Sequence, residues 1–162
     1  MRADTATSLA TVSVVIPALN EVAAAPHLVK ELCELYPEAE VIVVDDGSTD
    51  GTAALCAEAG ATVISHPYRK GNGASVKTGA RAASGDTLVF MDADGQHAAA
   101  DVARLLERLD AGYDMVIGSR SREGQANWAR LLGNGLYNRL ASAIVGRVIP
   151  DLTSGFRAVR AE

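Results

Sequence analysis

Asp92-Ala93-Asp94-Gly95-Gln96-His97 is the segment of this chain best suited to chemistry. In extended backbone, side chains at i and i+2 lie on one side, so Asp92 and Asp94 are expected to converge. Two carboxylates held that close repel each other unless a cation sits between them. Hard oxygen ligands, with Gln96 as a third, suit Mg2+ or Mn2+, which keep some waters and complete their shell with substrate phosphates. An Asp/Gly turn carrying a helix cap is the plainer alternative. His97 is either a further ligand or a hydrogen-bonded loop residue, while His27 and His66 read as incidental.

Asp45-Asp46-Gly47-Ser48-Thr49-Asp50-Gly51-Thr52 holds more acids than capping requires. Its glycines permit positive φ, and Asp50 or Thr52 can cap a following helix. Asp45 and Asp46 then stand where a ribose or base can donate to them, as in dinucleotide folds. Arg69-Lys70-Gly71-Asn72-Gly73 offers amides and cations to an anion at a helix start. It is no P-loop, because GxxxxGKS/T occurs nowhere. The first strand-to-helix turn, Pro17-Ala18-Leu19-Asn20-Glu21, lacks GxGxxG, which argues against a dinucleotide cofactor. Gly118-Ser119-Arg120 ends another run. In Asp151-Leu152-Thr153-Ser154-Gly155-Phe156-Arg157 the terminal acid and base read equally well as a surface pair.

These segments need elements to hold them, and the punctuation supplies them. Val12–Ile16, Val41–Val44, Thr62–Ile64, Thr87–Met91 and Met115–Ile117 are short apolar runs. Between them lie helical stretches: Pro26 to Pro37 with Leu28, Leu32 and Leu35 on one face, Thr52 to Ala59, Asn72 to Ala83, and one carrying Val102, Leu105, Leu106 and Leu109. The runs are continuously apolar, so both strand faces are expected to be buried beneath crossover helices. The fold class is therefore α/β, a Rossmann-like open sheet with ligands at the carboxyl ends of its strands.

The 162 residues, 48% hydrophobic and 22% charged, fit one globular domain and exclude a disordered or fibrous chain. Residues 1–11 read as a flexible leader, and residues 12–162 as the domain. No run approaches the roughly 20 apolar residues of a membrane span, and no secretory signal is expected. Cys33 and Cys56 lack metal-ligand spacing and read as buried free thiols in a reducing cytoplasm. The net charge of −5 conceals an asymmetry: seven arginines against three acids follow from Gly118 onward, suggesting a phosphate-bearing or anionic partner there. Trp128, Leu131, Leu132, Leu136, Leu140, Ile144 and Val145 form an amphipathic stripe with Arg130, Arg139 and Arg147. Such a helix packs on its own domain or lies on a membrane surface. Gly133 and Gly135 weaken it by about 1 kcal/mol each.

The ordered segments VSVVIPALNE, VIVVDDGSTDGT, RKGNGASVKTGA, LVFMDADGQH, VIGSR and DLTSGFR resemble a family 2 glycosyltransferase of GT-A fold. They are most similar to the dolichyl- or polyprenyl-phosphate sugar synthases, from about Val12 to Arg160. The resemblance implies an open, mostly parallel sheet with helices on both faces. It implies that Pro17, Asn20 and Glu21 line a nucleotide pocket, that Asp45 and Asp46 contact the nucleoside, and that Lys70, Asp92 and Ala93 meet the donor. Asp92, Asp94 and Gln96 would hold Mg2+ or Mn2+ beneath the donor diphosphate. Arg120 and Arg157 would meet an acceptor phosphate, and Asp151 is the position of the acceptor-side acid/base.

The implied activity is metal-dependent, inverting transfer of a sugar from a UDP- or GDP-linked donor to polyprenyl phosphate. The expected setting is cytoplasmic, with peripheral contact at the inner face of the membrane and no nucleic acid partner. A phosphate oxygen is already ionised near neutral pH, so Asp151 is expected to position the acceptor more than to remove a proton. Relatives continue past DLTSGFR with interface or membrane helices, which a chain ending at Glu162 is expected to lack. Two other readings stay open: a module that binds nucleotide sugar without turnover, and a sugar nucleotidyltransferase.

Overall fold

Three runs rich in β-branched residues, β1 (Val12–Ala18), β2 (Glu40–Asp45) and β3 (Thr62–Ser65), pair in parallel, and β4 (Thr87–Phe90) joins the other side of β1. Val14, Val15 and Ile16 are wholly buried, as continuous apolar strands require when both faces are covered. The structure is a computed structural model that describes residues 12–118 and 154–161. The leader, the amphipathic stripe, Arg120 and Asp151 lie outside the described residues.

Side-chain alternation divides the core. Val14 and Ile16 of β1, Val41 and Val43 of β2, and Val89 of β4 face a large cluster. It is filled by α1 (Ala25–Leu35), α2 (Thr52–Glu58) and α4 (Asp101–Asp110). Leu28, Val29 and Leu32 are the buried stripe of α1, and each such side chain stabilises by roughly 1.5–3 kcal/mol. Val15, Leu88 and Phe90 point the other way, toward Val76 and Ala80 of α3 (Asn72–Ala82). Gly79 lets α3 approach this closely, since a methyl group there would overlap Val15 Cγ1. At the end of α1, Tyr36 Oη donates to Ala99 O and accepts from Ala103 N, tying α1 to the start of α4.

Two expectations need correction. The outer strands β3 and β5 (Met115–Ile117) are not buried on both faces: Met115 is 54% exposed and Ile117 39%, as each strand has one strand neighbour among the described residues. The sheet also contains a strand the sequence did not announce. β6 (Arg157–Arg160) inserts antiparallel between β4 and β5, giving the order β3-β2-β1-β4-β6-β5. Four residues reading Arg-Ala-Val-Arg carry too little periodicity to be recognised, and the strand exists through its two partners. Among the described residues no helix is long and apolar enough to cross a membrane.

Strand direction assembles the site. β1, β2 and β3 end together, with Ala18 opposite Asp45 and Asp45 opposite Ser65. β4 stops earlier, with Phe90 opposite Val15, so the chain after it turns across the end of β1. Arg157 opposes both Phe90 and Ile117, which brings Ser154-Gly155-Phe156, ahead of β6, to this same edge.

Candidate active site

The chain runs outward from β1 to β2 and β3, then returns to place β4 on the other flank of β1. Crevices open where strand order reverses in this way. A cavity of about 320 Å3 lies there, within the usual size of a ligand pocket. The exit of β1 lines it with Pro17, Ala18, Leu19 and Glu21, and the exit of β4 with Asp92, Ala93 and Asp94. Asp46, Arg69, Asn72 and Ser75 close the remaining side.

The two aspartates share the cavity by a route other than the expected one. After Met91 the backbone turns at Ala93–Asp94 instead of continuing extended, and Gly95 takes φ 75°. Asp94 Oδ1 accepts the Gln96 N–H at 3.1 Å, so this is an Asx turn. Gln96 is exposed and does not line the cavity. Behind Asp92 lies Gly155, where a methyl group would overlap the carboxylate. Phe156 then stacks on His97 with ring centroids 4.6 Å apart, and its ring packs against Gly118. His97 is therefore packed against Phe156. It borders a separate hollow of about 620 Å3 between α4 and β5 that neither aspartate reaches.

The β1 and β2 exits are laced together. Asn20 adopts φ 56°, a conformation Asn tolerates, and its N–H donates to Ser48 Oγ while its Oδ1 accepts from Thr49 N. The N–H groups of Glu21 and Val22 donate to Thr52 Oγ1 and Asp50 Oδ2. Asp50 accepts from the Thr52 hydroxyl and amide, and these bonds hold its carboxyl below the usual range. The capping expected of Asp50 and Thr52 thus becomes a bridge between two turns. Asp45 Oδ1 accepts from Ser48 N and lies beneath the turn, off the cavity wall.

Asp46 is 4% exposed and accepts three hydrogen bonds, from His66 Nδ1 at 2.8 Å, Lys70 N at 2.8 Å and Gly71 N at 2.7 Å. Burial pushes its carboxyl up, but these bonds and the His66 charge outweigh burial and leave it below the usual range. The donors curl the loop after β3 over the turn at Gly47, whose φ of 87° and close approach to Arg69 N exclude a side chain. Arg69 and Asn72 thereby reach the cavity, whereas the Lys70 ammonium sits 5.7 Å from the Tyr68 ring. Lys70 contributes its amide to Asp46 instead of its charge to the cavity. Arg157 is half-buried on β6 with its guanidinium 5.4 Å from the Phe90 ring, away from the cavity lining.

The charge balance fits a hard cation. Burial, then the negative charges of Asp94 and Asp50, push the Glu21 carboxyl above its usual range. Among the described residues no three His, Cys, Asp or Glu side chains converge into a closed cage. An open set of two carboxylates is what a cation shared with a substrate phosphate needs. The cysteines take no part: Cys33 is only half-buried, and burial, then Asp45 and Asp50, push the Cys56 thiol up to about 11.

The family model for Glycosyl transferase family 2 matches residues 13–162. The chain belongs to that family. It is 36% identical to polyprenol monophosphomannose synthase of Mycolicibacterium smegmatis over 92% of this chain and 61% of that protein. It is 34% identical to undecaprenyl-phosphate 4-deoxy-4-formamido-L-arabinose transferase of Proteus mirabilis over 92% of this chain and 48% of that one. The structure also superposes on glucosyl-3-phosphoglycerate synthase of Mycobacterium tuberculosis, crystallised with Mn2+ and UDP-glucose. That match has TM-score 0.74 and 30% identity, and it covers 93% of this chain and 56% of that one. The chain thus spans about half to three-fifths of the length of these relatives. Its fold is the GT-A α/β fold of a glycosyltransferase.

In this family 2 domain, Pro17, Glu21, Asp46, Asp92, Ala93 and Asp94 line one cavity. Asn20, Asp45, Lys70, Gln96 and Arg157 stand off its wall. His66 was missed: it is buried and bonded through both ring nitrogens, to Asp46 and to Thr78 Oγ1. No local pattern marks it, since its partners lie 20 and 12 residues away. Arg69 and Asn72 fall within the recognised basic segment, but which of its side chains turns inward depends on the seat under the loop.

Proposed function

We propose that this chain transfers a sugar from a UDP- or GDP-linked nucleoside diphosphate to a phosphorylated acceptor, polyprenyl phosphate, with inversion at the sugar carbon. The supporting observation is the cavity at the β1/β4 switch point, where Asp92 and Asp94 face Arg69 and Asp46 across one pocket. Asp92 and Asp94 would hold Mg2+ or Mn2+, which would supply Lewis-acid stabilisation of the departing diphosphate. Arg69 faces the donor's negative charge, and the amide-rich turns at Asn20 and Ser48 hold the floor still. Pro17, Asp45 and Asp46 form and support the nucleoside end. Arg120 orients the acceptor phosphate, whose ionised oxygen attacks from the side opposite the diphosphate. Asp151 positions that oxygen.

Two curated relatives are named for lipid phosphates, and the mycobacterial structure is named for a phosphoglycerate, so a phosphorylated acceptor is the shared chemistry. The lipid is favoured because the arginine-rich stretch after Gly118 also carries the amphipathic stripe. It suits an enzyme working peripherally at the cytoplasmic face of the membrane.

The test is Asp94→Ala in excess Mn2+, assayed with UDP- and GDP-sugars against undecaprenyl phosphate and against phosphoglyceric acid. Loss of at least about 100-fold in transfer, with the fold intact, is expected. Wild-type rates in that variant would remove the metal assignment. Product analysis separates the remaining readings: a nucleoside diphosphate marks transfer, pyrophosphate marks a nucleotidyltransferase, and binding without product marks a binding module.

A further inference from the structure

We propose that His66, which stands behind the cavity wall and outside its lining, sets donor affinity as a positioning residue for Asp46 and the basic loop. The inference rests on the donor-pocket reading above. His66 is the first residue beyond β3, and its N–H donates to Asp45 O at 2.8 Å, which extends the sheet pairing and fixes its backbone. Its side chain is 4% exposed and that of Asp46 6%, so their 2.8 Å contact is sealed from water. An ionised carboxylate only accepts, so the proton facing it sits on Nδ1, and Nε2 meets Thr78 Oγ1 of α3 at 3.0 Å.

One ring thus joins the exits of β2 and β3 to the middle of α3. The carboxylate it holds also gathers the amides of Lys70 and Gly71, the two residues immediately before α3. Arg69 is the lysine or arginine on the cavity wall among the described residues, and its backbone lies directly over Gly47. Without the Nδ1–H donor, a buried carboxylate keeps only the two amides, and rotation toward water would draw Arg69 and Asn72 off the wall. Such a change weakens binding of donor and transition state alike, and so raises KM while leaving kcat in place.

Two substitutions separate this role from simple packing. His66→Asn keeps an N–H near the Nδ1 position, and His66→Gln keeps one near Nε2. Calorimetric Kd values for UDP and GDP with Mn2+, together with kcat and KM, read the outcome. His66→Gln should weaken the preferred nucleotide by about tenfold and raise KM in step. His66→Asn and Thr78→Val should stay within about threefold of wild type, and kcat should hold within about threefold in all three variants. Equal loss in the Asn and Gln variants, wild-type affinity in both, or a fall in kcat at constant KM would overturn the proposal. If His66→Gln does not fold, a loss beyond threefold in either other variant overturns it. A wild-type chain that binds neither nucleotide would instead sink the donor-pocket reading, and this inference with it.

Discussion

The two ends of β2 carry the same device. At its start, Glu40 Oε2 accepts from Ser13 Oγ at 2.6 Å, Ser84 N at 2.9 Å and Ser84 Oγ at 3.1 Å. Just past its end, Asp46 accepts from His66 Nδ1, Lys70 N and Gly71 N. Each carboxylate is pushed up by burial and then brought below its usual range by its hydrogen bonds. Each staples the strand to a distant loop. Yet one lines the cavity and the other does not. The difference lies in strand direction: turns at the carboxyl edge leave room at the switch point, while Glu40 closes the amino edge over Ser13 and Gly85. Staples of one chemistry acquire different uses from where the sheet leaves space.

Removing each staple sharpens that comparison. Asp46→Ala strands three donors, one of them a buried imidazole, and should lower stability by about 2–4 kcal/mol in urea unfolding. Nucleotide affinity should fall on the order of 100-fold. Glu40→Ala should lower stability by about 1–2 kcal/mol yet leave nucleotide Kd within about twofold. If both variants lost affinity alike, the distinction between the two edges would be wrong.

Acid should strain both staples at once. A carboxyl whose folded pKa lies below its unfolded value contributes stability that is complete above the unfolded value, roughly 3.9 for Asp and 4.3 for Glu. That contribution disappears as pH falls through the depressed folded values. Equilibrium unfolding followed from pH 6 to pH 2 should therefore weaken below about pH 4, with a shallower slope in either alanine variant.

The smallest effect belongs to Glu21, which shifts the other way. Its raised pKa means that the folded state gains stability as pH falls through that value, because protonation relieves burial and the repulsion from Asp94 and Asp50. Glu21→Gln should raise the melting midpoint at pH 7 on the order of 1 °C without metal. The gain should shrink when Mn2+ is added, because the cation already offsets the repulsion. A destabilised variant would mean that Glu21 is held by a bond stronger than the repulsion.

Much of this was legible in one dimension. Continuous runs such as Val12–Ile16 and Val41–Val44 announced buried parallel strands, and Pro26, Gly60 and Gly85 marked where helices and turns had to begin or end. Acids at strand exits marked the edge where the cavity lies, since a turn must follow each strand whatever packs above it. Asp92 and Asp94 both border the cavity, but the backbone between them turns instead of continuing extended as the spacing suggested.

Residue types and local spacing, acting through near-neighbour sterics, determined the alternation of strands and helices and the set of acids at their ends. Tertiary structure alone decided that Arg-Ala-Val-Arg becomes a strand, that Arg69 rather than Lys70 turns inward, and that a seemingly incidental His66 grips Asp46. Each of those outcomes depends on partners far along the chain. Hydrogen-bond geometry and excluded volume act only once the fold has brought such partners within reach.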